Sequence, residues 1–298
     1  MDQQEQLWEA VTAEGASFQR AAAEDPGATL LVFDFDGTLA PIVARPEDAR
    51  ALPESLAAIS KLADRGFSLA VISGRPVGTL LELLGEAGRR AFASATLYGH
   101  YGAEHLDLAQ AFQNAASDSG DPTMDDLKQA IIAPPVPEGL DPARVELEEV
   151  VAPFPGAALE EKGLSIAAHF RGATSDEALQ IAAEQIQQIA ERHGLTVEAG
   201  RKVWELRGPT ETKGDALRSL VDEVRPANVA FAGDDVGDLA AFEALGALDV
   251  DNACAVVSSS TEVPELDALA DILCRGPQGI AAWLGTLAEK AASYPNSL

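Results

Sequence analysis

The sequence predicts an α/β protein in which a parallel sheet is covered by helices and a smaller α+β module is inserted into it. Three observations carry this. Short apolar runs recur, and each ends in small or polar residues: residues 30–33 lead into Asp34, 69–72 into Ser73, 95–98 into Gly99-His100, and 229–232 into Gly233-Asp234-Asp235. Helix-like stretches separate the first runs. Residues 53–65 carry Leu56, Ile59, Leu62 and Ala63 at helical spacing, and Leu80, Leu81 and Leu84 follow Arg75. The middle of the chain changes character and alternates apolar with polar. Strand–helix alternation implies parallel strands joined by right-handed crossovers. In such sheets ligands bind beyond the carboxyl ends of the strands, which is where these polar residues fall.

The elements follow in order. Leu7, Val11 and Phe18 suggest an amphipathic helix ending near Asp25-Pro26-Gly27, an N-terminal helical extension over residues 1–27. The sheet domain takes residues 28–107 and 210–298. Between them, 108–209 forms the inserted module, entered through the polar stretch 117–122 and a second break at Ala133-Pro134-Pro135-Val136-Pro137. Residues 164–171 alternate, with Ile166, Ala168 and Phe170 on one face and Ser165, Ala167, His169 and Arg171 on the other. Residues 175–193 read as a helix carrying Leu179, Ala182, Ile186 and Ile189, and residues 201–207 return to a strand pattern. No repeat or low-complexity tract interrupts the chain.

Charge limits the function. The 298 residues carry a formal net charge of −27. Nucleic acid and anionic membranes would be repelled. An anionic substrate would need local cations, and seven of the 21 Lys and Arg fall between Lys162 and Lys213. Cys254 and Cys274 supply neither a disulfide framework nor metal-site spacing, and both fit small buried side chains. The N-terminus lacks the apolar core of a signal peptide and no run is long enough to span a membrane, so a cytoplasmic protein is expected.

The chemistry concentrates in two acidic clusters. In Asp34-Phe35-Asp36-Gly37-Thr38-Leu39 two carboxylates lie two residues apart after a buried strand and point the same way. Their repulsion is costly unless a cation sits between them, and hard oxygen ligands suit Mg²⁺. One carboxylate can then act as nucleophile and the other as proton donor. Gly37 permits a tight turn beside a ligand. Gly233-Asp234-Asp235-Val236-Gly237-Asp238 is the second cluster; alone it would serve as well as a helix cap as a metal site. Lys213 could face developing phosphate charge, and Ser73 could donate to a phosphate oxygen.

Taken together, Asp34-x-Asp36-Gly37-Thr38, Ser73, Lys213 and Asp234-Asp235-x-x-Asp238 occur in the order of the haloacid dehalogenase (HAD) superfamily, which the chain resembles. More closely it resembles the trehalose-6-phosphate phosphatases. The matching stretches are residues 34–42, Ser73-Gly74-Arg75, Gly102-Ala103-Glu104, residues 160–165, His169-x-Arg171 and Glu205-Leu206-Arg207. The resemblance spans roughly residues 28–285. It implies a Rossmann-like, HAD-like core with an inserted α+β cap, hydrolysing trehalose 6-phosphate with Mg²⁺ through an aspartyl-phosphate. Asp34 would be nucleophile and metal ligand, and Asp36 general acid/base and metal ligand through its backbone carbonyl. Thr38 and Ser73 would hold phosphate oxygens, Lys213 would balance charge, and Asp234 would be the third protein ligand. Asp235 and Asp238 would be ligands through water or partners that hold Lys213. Arg75, Glu160, Lys162, His169, Arg171 and Glu205 would meet the sugar. The chain departs from the family at Gly237-Asp238-Leu239 in place of Thr-Asp-Glu, at Tyr101-Gly102 in place of His-Gly, and at Gly208 before Pro209.

Two other readings use the same residues. One is a phosphatase for another sugar phosphate or a glycosyl-phosphoglycerate. The other is a catalytically silent binding or regulatory protein of the same fold, which would be expected to lack one of Asp34, Asp36, Lys213 or Asp234.

Overall fold

The computed structural model describes the chain except for residues 1–6, 117–120, 171, 173–174, 201, 209–211, 262 and 296–298. It divides into two compact units, one made of residues 1–132 with 211–298 and the other of 133–210.

The larger unit is built on strands whose side chains are buried on both faces. In β2 (Thr29–Phe33) Leu31 and Phe33 enter one apolar cluster while Leu30 and Val32 enter another. β10 (Asn228–Gly233) divides in the same way, with Ala230 and Ala232 on one side and Val229 and Phe231 on the other. Such continuous apolar runs mark parallel strands covered by helices. Each large side chain fully buried this way contributes roughly 1.5–3 kcal/mol. The other strands are β1 (Trp8–Ala10), β3 (Ser68–Ile72), β4 (Thr96–Gly99), β5 (Glu104–Asp107), β11 (Asn252–Ser258) and β12 (Ile272–Cys274). Among the described residues they form an eight-stranded sheet in the order β1-β12-β11-β10-β2-β3-β4-β5, parallel except for the β1 and β5 edges.

Helices α1 (Ala13–Glu24), α2 (Pro53–Asp64), α3 (Val77–Ala91) and α10 (Gly276–Ser293) cover one face. Helices α8 (Lys213–Val224) and α9 (Leu239–Leu245) cover the other. The region expected to be an N-terminal extension therefore belongs to this unit: β1 pairs with β12, and Phe18 and Ala22 are fully buried in its core, while Leu7 and Val11 precede α1 and are exposed. Both cysteines are buried and free.

The smaller unit is an antiparallel sheet backed by two helices. Strands β6 (Ala158–Glu161), β7 (Ser165–His169), β8 (Thr196–Gly200) and β9 (Val203–Arg207) lie in the order β6-β7-β9-β8. Helices α6 (Leu140–Val151) and α7 (Asp176–Arg192) pack against Ile166, Ala168 and Phe170, the face that alternation assigns to the core. Leu179, Ala182, Ile186 and Ile189 of α7 all point into that cluster.

The sequence places the start of the insertion at residue 108; in the structure the second unit starts at 133. The intervening α4 (Leu108–Ala116) and α5 (Met124–Gln129) belong to the larger unit because Leu108, Ala111 and Leu127 are buried in its core. The proline-rich stretch after Ile132, not the polar residues 117–122, coincides with the division. Among the described residues no helix is long and apolar enough to cross a membrane.

Candidate active site

The site residues of the larger unit stand at the carboxyl ends of adjacent parallel strands. β2 and β10 pair with Phe33 opposite Ala232, so the residues that follow them, Asp34 and Gly233-Asp234, emerge side by side. The pairing runs one step past the strand, where the Asp34 N–H donates to the Ala232 carbonyl at 2.8 Å. Beyond it the chain turns at Gly37, which has φ of 79°. A Cβ at that position would lie 1.9 Å from an Asp234 carboxylate oxygen, so only glycine lets the two loops approach this closely. The Ser258 hydroxyl, at the end of β11, donates to the Gly37 carbonyl at 2.7 Å and braces the same turn.

Lys213 reaches this place because α8 starts there. Thr212 and Asp215 form a capping box that fixes the first turn of the helix. Gly214 lets that turn press on α9, since a Cβ would come within 2.2 Å of the Ala240 carbonyl oxygen. From this anchor Lys213 Nζ donates to Asp34 Oδ1 and to Asp238 Oδ1, both at 2.6 Å, and all three side chains are buried. The other Asp238 oxygen accepts from the backbone N–H groups of Asp234 at 2.9 Å and Asp235 at 3.1 Å. Asp238 thus uses both oxygens to tie the second acidic loop to Lys213. Asp235 is exposed and accepts from the Val236 N–H. Thr38 Oγ1 donates to Asp234 Oδ1 at 3.2 Å.

The electrostatics are those of too many acids around one ammonium. Burial, opposed by Lys213, pushes the Asp34 carboxyl up to about 7. Burial and then repulsion from Asp34 and Asp238 push Asp234 up to about 9. Burial works against the Lys213 charge, but the attraction of Asp238 and Asp34 outweighs it, so the ammonium holds its proton more tightly than an ordinary lysine. Carboxylate oxygens of Asp34, Asp234 and Asp238 lie within 4.8 Å of one another. Acids that burial drives towards protonation are what a divalent cation relieves, and an all-oxygen donor set fits a hard ion. The residues present therefore fit a metal.

Asp36 and Arg75 make a separate pair beside this cluster. Arg75 Nε donates to Asp36 Oδ2 at 2.5 Å and Nη2 donates to Oδ1 at 2.7 Å, a two-pronged contact. Ser73 follows β3 and is buried, and its hydroxyl accepts from the Arg75 N–H at 3.2 Å. The sequence assigns Arg75 to the sugar; the structure places its guanidinium on Asp36.

Of the remaining expected substrate contacts, Glu160, His169 and Glu205 lie on one sheet of the smaller unit, and Lys162 follows β6. β6 and β7 form the hairpin expected around Gly163, whose φ is 86°. In register, Glu160 faces Ala167, which faces Glu205 on β9. Lys162 Nζ donates to Glu205 Oε2 at 2.6 Å, Ser165 Oγ donates to Glu205 Oε1 at 2.5 Å, and a Glu160 carboxylate oxygen lies 2.8 Å from His169 Nε2. Arg171 falls outside the described residues.

Two supports, Ser258 and Glu104, received no role from the sequence, although Glu104 lies in a stretch that matches the family. Ser258 has only a weak signal, a serine after an apolar strand. Glu104 is buried and accepts from the Val77 N–H at the start of α3 at 2.5 Å, which no spacing announces.

Comparison with known proteins agrees with this geometry. The family model described as trehalose-phosphatase matches residues 136–273. A trehalose-phosphate phosphatase of Mycobacterium tuberculosis is 34% identical over 220 residues, covering 72% of this chain and 50% of that protein. One from Mycobacterium marinum is 30% identical over 267 residues, covering 88% of this chain and 62% of the relative. The chain thus spans about half to three-fifths of the length of these relatives. In fold it resembles the C-terminal domain of C. albicans trehalose-6-phosphate phosphatase, with TM-score 0.70 at 19% identity over 94% of this chain and 98% of that one. A haloacid dehalogenase-like hydrolase from Bacteroides thetaiotaomicron gives TM-score 0.60 at 14% identity over 87% and 99%. Family match and relatives converge on the trehalose-phosphatases, whose family model this chain matches over residues 136–273, and the fold is shared with a haloacid dehalogenase-like hydrolase.

Proposed function

We propose that the protein hydrolyses trehalose 6-phosphate to trehalose and phosphate, a step of trehalose biosynthesis, through an aspartyl-phosphate on Asp34. The observation that carries this is the buried Asp34 carboxylate held by Lys213 at 2.6 Å, beside Asp234 at the end of the neighbouring strand. An Oδ of Asp34 attacks phosphorus, and the P–O bond to the sugar breaks. Asp36 gives the departing sugar oxygen a proton and later takes one from the water that hydrolyses the acyl phosphate. Transfer of a proton from Asp36 requires that Arg75 loosen its two-pronged hold on that carboxylate. Thr38 and Ser73 donate to phosphate oxygens. Lys213 keeps Asp34 ionised and offsets charge on the transferring group.

Asp34, Asp234 and the Asp36 backbone carbonyl would hold Mg²⁺, with Asp238 committed to Lys213 and the loop backbone. When bound, the ion supplies positive charge that lowers repulsion between the acids and an incoming phosphate dianion. Sugar recognition is assigned to Glu160, Lys162, His169 and Glu205, with Arg171 in the same sequence stretch. Polar groups aimed at hydroxyls discriminate strongly, because the wrong sugar leaves them unpaired.

Phosphate release from a panel of sugar phosphates, with and without a chelator, tests the proposal. Trehalose 6-phosphate should give the highest kcat/KM, and chelation should abolish turnover until Mg²⁺ is restored. Preference for another sugar phosphate would shift the substrate and keep the chemistry. Full activity in metal-free buffer would overturn the metal assignment.

A further inference from the structure

Two consecutive residues that are not glycine, His100 with φ of 49° and Tyr101 with φ of 64°, hold the left-handed conformation. Side chains enter that region at a cost, and such outliers persist where their surroundings fix them. Here the surroundings are the loop that carries Ser73. The Ser73 N–H donates to the Tyr98 carbonyl at 3.0 Å, the Tyr101 N–H to the Ser73 carbonyl at 2.9 Å, and the His100 N–H to the Arg75 carbonyl at 3.1 Å. These bonds continue the β3–β4 pairing beyond its last pair, Ile72 with Tyr98.

The two left-handed residues deliver one ring to a defined place. A Cβ on Gly74 would come within 2.8 Å of Tyr101 Cζ and 2.9 Å of its hydroxyl oxygen. A Cβ on Gly237 would lie 3.7 Å from Tyr101 Cε1. One side chain therefore presses on the backbone beside Ser73 and neighbours the loop that carries Asp234 and Asp238. Glycine occupies the position where the ring leaves no room for a side chain.

We propose that Tyr101 is a positioning residue for the phosphate pocket, a wedge that sets the Ser73 loop against the Asp234–Asp238 loop. The proposal rests on the phosphatase reading, and it concerns the phosphoryl group, which every substrate of such an enzyme shares. Glycine adopts φ near 64° without strain, so Tyr101→Gly removes the wedge and leaves the turn intact. Its thermal midpoint should equal that of the wild type or rise.

Inorganic phosphate, titrated calorimetrically in the presence of Mg²⁺, should bind Tyr101→Gly about tenfold more weakly. KM should rise by a similar factor on both trehalose 6-phosphate and p-nitrophenyl phosphate, with kcat less affected. Tyr101→Phe keeps the ring and should restore wild-type affinity. Gly74→Ala should lose phosphate affinity by colliding with the ring, and the double variant Gly74→Ala/Tyr101→Gly should recover part of that loss. Unchanged phosphate affinity in Tyr101→Gly would overturn the proposal, as would a loss confined to trehalose 6-phosphate, which would make Tyr101 a sugar contact. Phosphate binding needs no turnover, so failure to hydrolyse any sugar phosphate would sink the phosphatase reading and leave this measurement to decide the wedge.

Discussion

Each unit holds a lysine on a carboxylate, at the same distance and in very different settings. Lys213 bonds Asp34 and Asp238 at 2.6 Å, and the side chains of the three are at most 8% exposed. Lys162 bonds Glu205 at 2.6 Å with 19% of its own side chain exposed, and the nearby Glu160–His169 pair is open, with Glu160 50% exposed. A buried charge cannot turn to water when its partner is removed, so the first cluster couples chemistry to stability. Glu205 is itself only 8% exposed and accepts from Ser165 as well, so removing Lys162 leaves it one donor, whereas the open Glu160–His169 pair contributes little to stability and can change its partners at low cost. The buried acidic cluster is welded into a parallel core, and the residues proposed for sugar recognition lie in an antiparallel unit.

Substitutions can sharpen or break that contrast. Asp34→Asn should have the largest effect on rate: turnover falls by about 10⁴-fold or more, because an amide cannot form the acyl phosphate. Lys213 keeps Asp238 as a partner, so circular dichroism and the thermal midpoint should stay near wild type. Substantial activity in a folded variant would end the covalent mechanism.

Asp238→Ala should affect both rate and fold. It leaves Lys213 with one partner and strips two backbone N–H groups of their acceptor. Stability in a urea titration should drop by about 3–5 kcal/mol, and turnover should drop about 10²-fold as the loop loses its position. A loss of rate with no loss of stability would break the proposed coupling.

Lys162→Ala should cost about 1–3 kcal/mol, less than Asp238→Ala, because the buried Glu205 keeps Ser165 as a donor, and it should lower kcat/KM for trehalose 6-phosphate about 10- to 100-fold. Activity on p-nitrophenyl phosphate should be nearly unchanged, because that ester presents no sugar. Equal loss on both substrates would assign Lys162 to structure in general.

The smallest effect concerns the helix that delivers Lys213. Asp215→Ala removes half of the α8 capping box and should cost about 1 kcal/mol near neutral pH. Its bonds from the Thr212 N–H and hydroxyl hold the Asp215 carboxyl below its ordinary value of 3.8. That contribution is complete above the ordinary value and is lost as pH falls through the lower folded one. Urea titrations of both proteins should therefore converge towards the acid limit, and a gap that widened there would contradict the assignment.

The sequence revealed what periodicity and local motifs encode. Runs such as residues 30–33 and 229–232 are apolar throughout because both faces of the strand are covered, and each ends on the acids that matter. The division between units was not legible at residue 108, because a polar stretch at 117–122 looks the same whether it leaves a domain or merely bends within one. What decides is where Leu108 and Leu127 bury, which is a tertiary fact. The bracing contact of Ser258 on Gly37 was hidden for the same reason. For Asp238 the family resemblance left two readings, a ligand through water or a partner of Lys213, and the bond to Lys213, 25 positions earlier, matches the second. The contact of Arg75 with Asp36, 39 positions away, has no signal in the sequence either.

The strand order has a consequence for synthesis. β2 pairs on one side with β3, made soon after it, but on the other with β10, which begins at Asn228. Between Phe33 and Asn228 the ribosome must add nearly two hundred residues, which takes roughly 10–40 s at ordinary elongation rates. Throughout that interval the Leu30-Leu31-Val32-Phe33 edge has no neighbour on its β10 side, and an open apolar edge invites pairing with another chain. The nascent chain is therefore most exposed to aggregation while the inserted unit is being made, and a holdase acting in that window should raise the yield of soluble protein more than one supplied after release.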